Sequence, residues 1–155
     1  MTNPNTTRPK TSKPKPKHAA LKVTTVLSKK DRKAIADKLI AYNIATFGPS
    51  GRQSVAIRLR DADGNISGGL TGYTARGWLY IEMLFVPDEM RGQGMAGKLL
   101  QLAEGEARAR GCIGAYIDTM NPQALRAYIR QGFTPVGSLK DFSGDHSMTW
   151  LEKRF

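Results

Sequence analysis

The sequence predicts a mixed α/β fold, with a mainly antiparallel central sheet and flanking helices. The chain has 155 residues, 40% of them hydrophobic, which is enough for one domain with its own core. This composition excludes a collagen-like or wholly disordered protein. Short segments with strand-like alternation precede a glycine-rich loop, and this loop joins a strand that is apolar on both faces to a long helical segment.

The composition also limits the kind of functional site. A single cysteine, Cys112, excludes a disulfide framework and a cysteine-rich zinc site, and two widely separated histidines leave little for a metal centre. No apolar stretch approaches the roughly 20 residues of a membrane-spanning helix, and the N-terminus has no apolar signal segment. We therefore expect a cytoplasmic protein with no metal site and no membrane partner.

The formal net charge of +11 is unevenly distributed along the chain. Residues 1–20 carry five Lys or Arg, no acidic residue and four of the eight prolines, so we expect a disordered basic tail before a domain at 21–155. Such a tail could bind nucleic acid electrostatically or serve only as a solubilising extension. We favour the extension, because the tail has no aromatic residue to stack on a base.

The first part of the domain is predicted to contain a long helix between strands. The elements are a strand at Leu21–Leu27, a helix at Lys29–Thr46, and strands at Ser54–Arg60 and Ile66–Tyr73. Ser28 is a suitable N-cap for the helix, and Asp63-Gly64 is a hairpin turn signal between the last two strands. Ala75-Arg76-Gly77 then turns the chain again.

Trp78–Val86 differs from the earlier strands because both of its faces are apolar. Alternation places one set of apolar side chains on one face (Leu79, Ile81, Met83 and Phe85) and a second set on the other (Trp78, Tyr80, Leu84 and Val86). Glu82 is its only charged residue. We predict a central strand that is covered on both sides.

The second part of the domain is predicted to alternate helices and strands. The elements are a helix ending near Arg110, a strand at Cys112–Ile117, a helix from Asn121-Pro122 to Gln131, and strands at Phe133–Val136 and Ser147–Leu151. Gly111 and Gly132 should follow the two helices as caps. A polar loop with Asp141, Ser143, Gly144 and Asp145 should separate the last two strands.

The first of these helices has a clear apolar side. It should bury Leu99, Leu100, Ala103 and Ala107, and expose Glu104/Arg108 and Glu106/Arg110 as i,i+4 ion pairs. We expect Cys112 to pack in the core and His146 to lie on the surface.

The loop Gly92–Gly97 precedes this helix, where unpaired backbone N–H groups and the helix dipole favour an anion such as phosphate. Gly92-x4-Gly97-Lys98 approaches the pattern of loops that bind nucleotide triphosphates. Leu99 stands where a Ser or Thr should hold Mg²⁺, so binding of a nucleotide triphosphate through this pattern is excluded. The glycines also fit the dinucleotide pattern, with Asp118 as a ribose-binding acid. The antiparallel meander and the intervening Pro87–Arg91 weigh against a dinucleotide domain.

A third interpretation uses more residues. Arg91-x-x-Gly94-x-Ala96 follows a strand that ends Leu84-Phe85-Val86-Pro87, and Asn121-x-x-Ala124-x-x-x-Tyr128 and Gly132-Phe133 come later. On these residues the chain resembles the GNAT family of acetyl-CoA-dependent N-acetyltransferases, most specifically over Trp78–Val136. The resemblance implies a GNAT-like acyl-CoA N-acyltransferase fold with a splayed parallel strand pair at the cofactor site. It also implies transfer of acetyl from acetyl-CoA to a primary amine by direct attack in a ternary complex.

The resemblance also implies which residues bind the cofactor. The pyrophosphate should lie on the loop amides, and the pantetheine arm should pair with the central strand like an extra strand. The implied set is Leu84, Phe85, Val86, Arg91, Gly92, Gln93, Gly94, Met95, Ala96, Gly97 and Asn121. Asn121 before Pro122 is also an ordinary helix N-cap, and the two roles are compatible.

Two residues are candidates for catalysis. Glu82 is the candidate base, because burial of an isolated carboxylate in an apolar strand should raise its pKa. The alternative is a structural role, in which Glu82 is bonded to an Arg or to backbone near a sheet bulge. Tyr128 resembles the family's general acid toward the CoA thiolate, the alternative being an ordinary buried aromatic. A backbone N–H near Leu84 should meet the oxyanion.

Other functions stay open on the sequence alone. One is a catalytically inactive GNAT-like binding module whose basic tail binds nucleic acid, and another is a nicotinamide-dependent oxidoreductase. The acceptor, whether a small amine, an antibiotic, an amino acid or a protein amino group, is not determined. Homodimers are common among relatives, but the sequence does not decide this point.

Overall fold

The computed structural model of the protein describes residues 21–155, so the predicted basic tail lies outside the described residues. The chain separates into two compact units between Tyr42 and Asn43, within the first helix. The elements in chain order are α1 (Lys29–Phe47), β1 (Gln53–Arg60), β2 (Ile66–Ala75), β3 (Trp78–Phe85), α2 (Met95–Ala109), β4 (Gly114–Thr119), α3 (Pro122–Arg130), β5 (Thr134–Ser143) and β6 (His146–Arg154). None of the helices in 21–155 is long and apolar enough to cross a membrane.

The described residues before α1 contradict one prediction, and the N-cap of α1 confirms another. Leu21–Leu27 forms no strand. The Thr24 hydroxyl instead accepts a hydrogen bond from the Val26 N–H at 3.1 Å and donates one to the Val26 carbonyl at 2.9 Å, a local turn that competes with extended pairing. Ser28 caps α1 as predicted, because its hydroxyl accepts from the Asp31 N–H at 3.0 Å.

The strands of the second unit form one mixed sheet in the order β1-β2-β3-β4-β6-β5. Every neighbouring pair is antiparallel except β3–β4, which is parallel. The parallel register covers only Trp78–Ile81 against Gly114–Ile117, while β4 continues to pair with β6 through Thr119. The backbone of β3 beyond Ile81 is therefore not paired with β4, as expected for a splayed pair.

A β-bulge in β3 corrects the predicted alternation of that strand. Thr71 of β2 pairs with Met83 and Gly72 pairs with Ile81, which leaves Glu82 as the extra residue. The bulge reverses the faces: Leu79 and Ile81 are buried, but Met83 and Phe85 are 65% and 55% exposed. The expectation that these four side chains share one covered face is wrong.

Helix α2 packs against the sheet through the predicted residues: Leu99, Leu100, Ala103 and Ala107 are all buried. Glu106 and Arg110 form the expected surface pair at 2.8 Å. Glu104 does not pair with Arg108 on the surface. It is 6% exposed, and both of its carboxylate oxygens accept from the Lys153 ammonium at 2.8 Å, because Glu104 faces β6 rather than solvent.

The C-terminal hairpin is longer than predicted. β5 and β6 pair up to a tight turn at Gly144-Asp145, so Asp141 and Ser143 belong to β5 and not to a loop. β5 is an edge strand whose residues are all exposed. Its sequence therefore lacks the alternation of apolar and polar residues that would predict its full length. β4 begins at Gly114 rather than Cys112, which is buried in the core as predicted and whose N–H bonds to the Ala107 carbonyl at 2.9 Å.

Candidate functional site

A cleft of about 470 Å³ lies between the end of β3, the N-terminus of α2 and α3. Most of the predicted site residues line it: Leu84, Phe85, Val86, Arg91, Gly92, Gly94, Met95, Ala96, Gly97, Asn121 and Tyr128. Two predicted residues do not. The Gln93 side chain donates to the Glu89 carbonyl at 2.8 Å, and Glu82 lies in the bulge before Leu84.

The glycine loop has the backbone geometry of an anion site. Gly92 and Gly94 both have φ of +73°, the left-handed region that favours glycine, and Gly94 is the N-cap of α2. Within the described residues, no backbone carbonyl accepts a hydrogen bond from the N–H groups of Gly92–Gly97; the first helical bond is from the Lys98 N–H to the Gly94 carbonyl at 3.0 Å. A row of unpaired donors at a positive helix end is suited to phosphate.

Arg91 fastens this loop to the end of β3. Its Nε donates to the Val86 carbonyl at 2.9 Å, and its guanidinium pairs with Asp88 and lies 5.7 Å from the centre of the Phe85 ring. The Arg91 side chain is still about half exposed. Its positive charge is thus held at the rim of the cleft.

Helix α3 supplies the opposite wall of the cleft. Asn121 caps it as predicted, since its Oδ1 accepts from the Gln123 N–H at 2.8 Å and from the Ala124 N–H at 3.4 Å. Gln131, at the other end of α3, is a lining residue that the sequence did not reveal. Its carboxamide occupies the space left by Gly97, where a Cβ would come within 2.8 Å of Nε2. No spacing rule links these two residues, which lie on different helices.

Tyr128 is buried in the wall of the cleft, with its ring centre 6.2 Å from that of Phe133. No residue of the described chain forms a hydrogen bond with its hydroxyl. Burial raises the pKa of Tyr128, and the negative charge of Asp118 raises it further. The hydroxyl therefore keeps its proton at neutral pH.

Glu82 is not the isolated, buried carboxylate expected from the sequence. Its side chain is 42% exposed, and its Oε1 lies 3.7 Å from Nη2 of Arg52. The bulge causes this, because it turns Glu82 out of the covered strand. The alternative environment, a Glu beside an Arg at a sheet bulge, is the one observed.

A tyrosine cluster, defined here as Tyr73, Tyr80 and Tyr116, lies near Glu82. The hydroxyl of Tyr80 donates to the Asp118 carboxylate at 2.8 Å. Burial, and then this hydrogen bond, raises the pKa of Tyr80 to about 12. The pKa of Tyr116 is also raised to about 12, chiefly by burial.

Comparison of the sequence with known proteins identifies one group of enzymes that this chain is similar to. The family model described as the acetyltransferase (GNAT) family matches residues 15–133. The acetyltransferase Atu2258 of Agrobacterium fabrum is 62% identical over 123 residues, which are 79% of this chain and 90% of that protein.

Solved structures agree with the sequence comparison. The crystal structure of a proposed acetyltransferase from Agrobacterium tumefaciens superposes with a TM-score of 0.85 at 56% identity, covering 88% of this chain and 100% of that one. An acetyltransferase from Bacillus cereus gives a TM-score of 0.76 at 28% identity, covering 86% and 98%. The similarity thus extends over most of the chain.

Proposed function

This chain belongs to the GNAT family of acetyltransferases, and we propose that it moves the acetyl group of acetyl-CoA to a primary amine by direct attack within a ternary complex. The enzyme class and the acetyl-CoA donor follow from the family. The observation that supports the finer proposal is the cleft, in which the unpaired N–H groups at the start of α2 and the side chain of Tyr128 line one space.

The residues of the cleft fit acetyl-CoA in charge and polarity. We assign the pyrophosphate to the N–H groups of Gln93–Gly97, with Arg91 adding positive charge at the rim. Leu84 and Phe85 lie beyond the register that pairs β3 with β4, so their backbone has the free hydrogen-bonding edge that a pantetheine arm needs, while the Val86 carbonyl holds Arg91. Leu84, Met90 and Leu100 give this part of the cleft an apolar lining.

The chemistry then divides among three protein groups. Bound acetyl-CoA supplies an activated thioester and a thiol leaving group. Glu82, which solvent reaches, takes a proton from the attacking ammonium, and a backbone N–H near Leu84 donates to the carbonyl oxygen as charge develops there. Tyr128 gives its proton to the departing sulfur. One C–N bond forms and one C–S bond breaks, and the attacking nitrogen loses two protons in all. Glu82 holds the first, and the second replaces the proton that Tyr128 gives to sulfur, so the protons balance.

Direct attack is supported by the position of the only cysteine. A two-step route would need a nucleophile to carry the acetyl group. Cys112 is 9% exposed in the core, it does not line the cleft, and burial raises the pKa of its thiol. Initial rates with both substrates varied should therefore give intersecting double-reciprocal lines. Parallel lines, with acetylated protein after incubation in acetyl-CoA alone, would contradict direct attack.

The competing functions are separated by calorimetric titration with acetyl-CoA, NAD and duplex DNA. We expect acetyl-CoA to bind with a stoichiometry of one and NAD not to bind. Binding of DNA alone, weakening steeply with salt, would support an inactive module with a nucleic-acid-binding tail.

A further inference from the structure

The tyrosine cluster lies on the sheet face opposite the buried core. Tyr73, Tyr80 and Tyr116 are direct neighbours across β2, β3 and β4. The rings of Tyr80 and Tyr116 stack at 4.7 Å, and Tyr73 meets Tyr80 edge-on at 5.5 Å. All three residues are partly exposed, so solvent reaches part of the cluster.

A cation already occupies this surface. The guanidinium carbon of Arg52 lies 3.2 Å from the centre of the Tyr73 ring, and its Nη2 lies 3.7 Å from Glu82. Stacking on a ring with a carboxylate alongside is the arrangement in which proteins bind guanidinium and ammonium groups. The Arg52 side chain is 55% exposed, and a surface ion pair of this kind is weakly held. A ligand with the same chemistry can therefore displace it.

The cluster also adjoins the proposed reaction site. Glu82, the proposed base, is the residue that Arg52 covers. The Asp118 carboxylate accepts a hydrogen bond from Tyr80, and its charge also acts on Tyr128 in the cleft wall. Without Arg52, the surface between these elements carries two carboxylates and the ring face of Tyr73 that Arg52 covers. This is the composition of a site for a positively charged group.

We propose that the acceptor carries a second cationic group besides its reacting amine, and that this group takes the place of Arg52 on Tyr73, with Asp118 as a further counter-charge. This proposal rests on the proposed function, because it assigns the acceptor to this face. A neutral acceptor of equal length leaves Arg52 on Glu82.

Two probes that differ only in charge test the proposal. 4-Guanidinobutylamine and 4-ureidobutylamine have the same length and nearly the same shape, but only the first carries a second cation. Calorimetry in the presence of CoA should give a Kd at least tenfold lower for the guanidino probe. Arg52→Met should lower the Kd of the guanidino probe several-fold further, and Asp118→Asn should raise it. Arg58→Met is the control, because Arg58 is an exposed arginine on β1, and it should leave that Kd unchanged.

The outcomes separate this proposal from the proposed function. Equal affinities for the two probes, no binding of the guanidino probe, or no effect of Arg52→Met would overturn the cationic acceptor, even if both amines were acetylated. Tight, charge-dependent binding without release of CoA from acetyl-CoA would instead support the cation site and count against the transferase proposal.

Discussion

Substitution of Gly94 by Asp tests the anion site at the start of α2. Gly94 has φ of +73°, and a Cβ built on it has no atom within 4 Å, so the Cβ of a new side chain meets no steric clash. Asp tolerates the left-handed region better than most residues, so the fold should survive. The new carboxylate would stand among the N–H groups assigned to the pyrophosphate. At about 5 Å, with an effective dielectric constant of about 20, two unit charges repel by about 3 kcal/mol.

That repulsion predicts a loss of acetyl-CoA affinity of roughly 100-fold. Gly94→Asn is the matched control, because Asn has nearly the same shape and backbone preference but no charge. Calorimetric titration of both variants, with thermal unfolding to confirm folding, measures the difference. If Asp and Asn weaken acetyl-CoA binding equally, the charge argument fails, and if neither weakens it, the loop is not part of the site.

Three further predictions concern the acid, the buried ion pair and the tyrosines. Tyr128→Phe should lower kcat while changing the Kd for acetyl-CoA little, since Phe fills the same buried space; wild-type turnover would remove Tyr128 as the acid. Glu104→Ala leaves the Lys153 ammonium without its partner and should cost about 3 kcal/mol of unfolding free energy in urea titrations. Glu106→Ala, which removes the surface pair with Arg110, should cost less than about 1 kcal/mol. Equal losses in the two variants would refute this prediction. Because the pKa of Tyr80 is raised to about 12 in the folded state from about 10 when unfolded, its contribution to stability is complete below pH 10 and lost between pH 10 and 12. Urea titrations between pH 10 and 12 should show that Tyr80→Phe loses less unfolding free energy than the wild type. An equal loss with rising pH in the two proteins would contradict this prediction.

The sequence predicts most of the cleft because its signals are local. Gly92 and Gly94 precede a helix, and Asn121 precedes Pro122, so each pattern identifies its own backbone geometry without knowledge of the rest of the fold. The same holds for the apolar side of α2, whose buried residues recur at helical spacing.

The features that were missed depend on pairing between distant segments. The bulge at Glu82 arises from the register of β3 against Thr71 and Gly72 of β2, and nothing in Trp78–Val86 reveals it. Arg108 stands at ideal helical spacing from Glu104, but Glu104 pairs with Lys153, which is far along the chain. The side chains of Glu104 and Lys153 are both largely withdrawn from water. The contact of Arg52 with Tyr73 likewise requires the strand register.

Acetyl transfer to an amine is tested most directly by a parallel measurement of both products. A panel of primary amines, including mono- and dicationic members, would be incubated with acetyl-CoA, with free thiol and acetylated amine quantified in each reaction. We predict that at least one amine gives thiol and acetyl-amine in equal amounts, at a rate that Tyr128→Phe reduces. Thiol release that stays at the enzyme-free rate for every amine, in a protein that binds acetyl-CoA, would contradict the account.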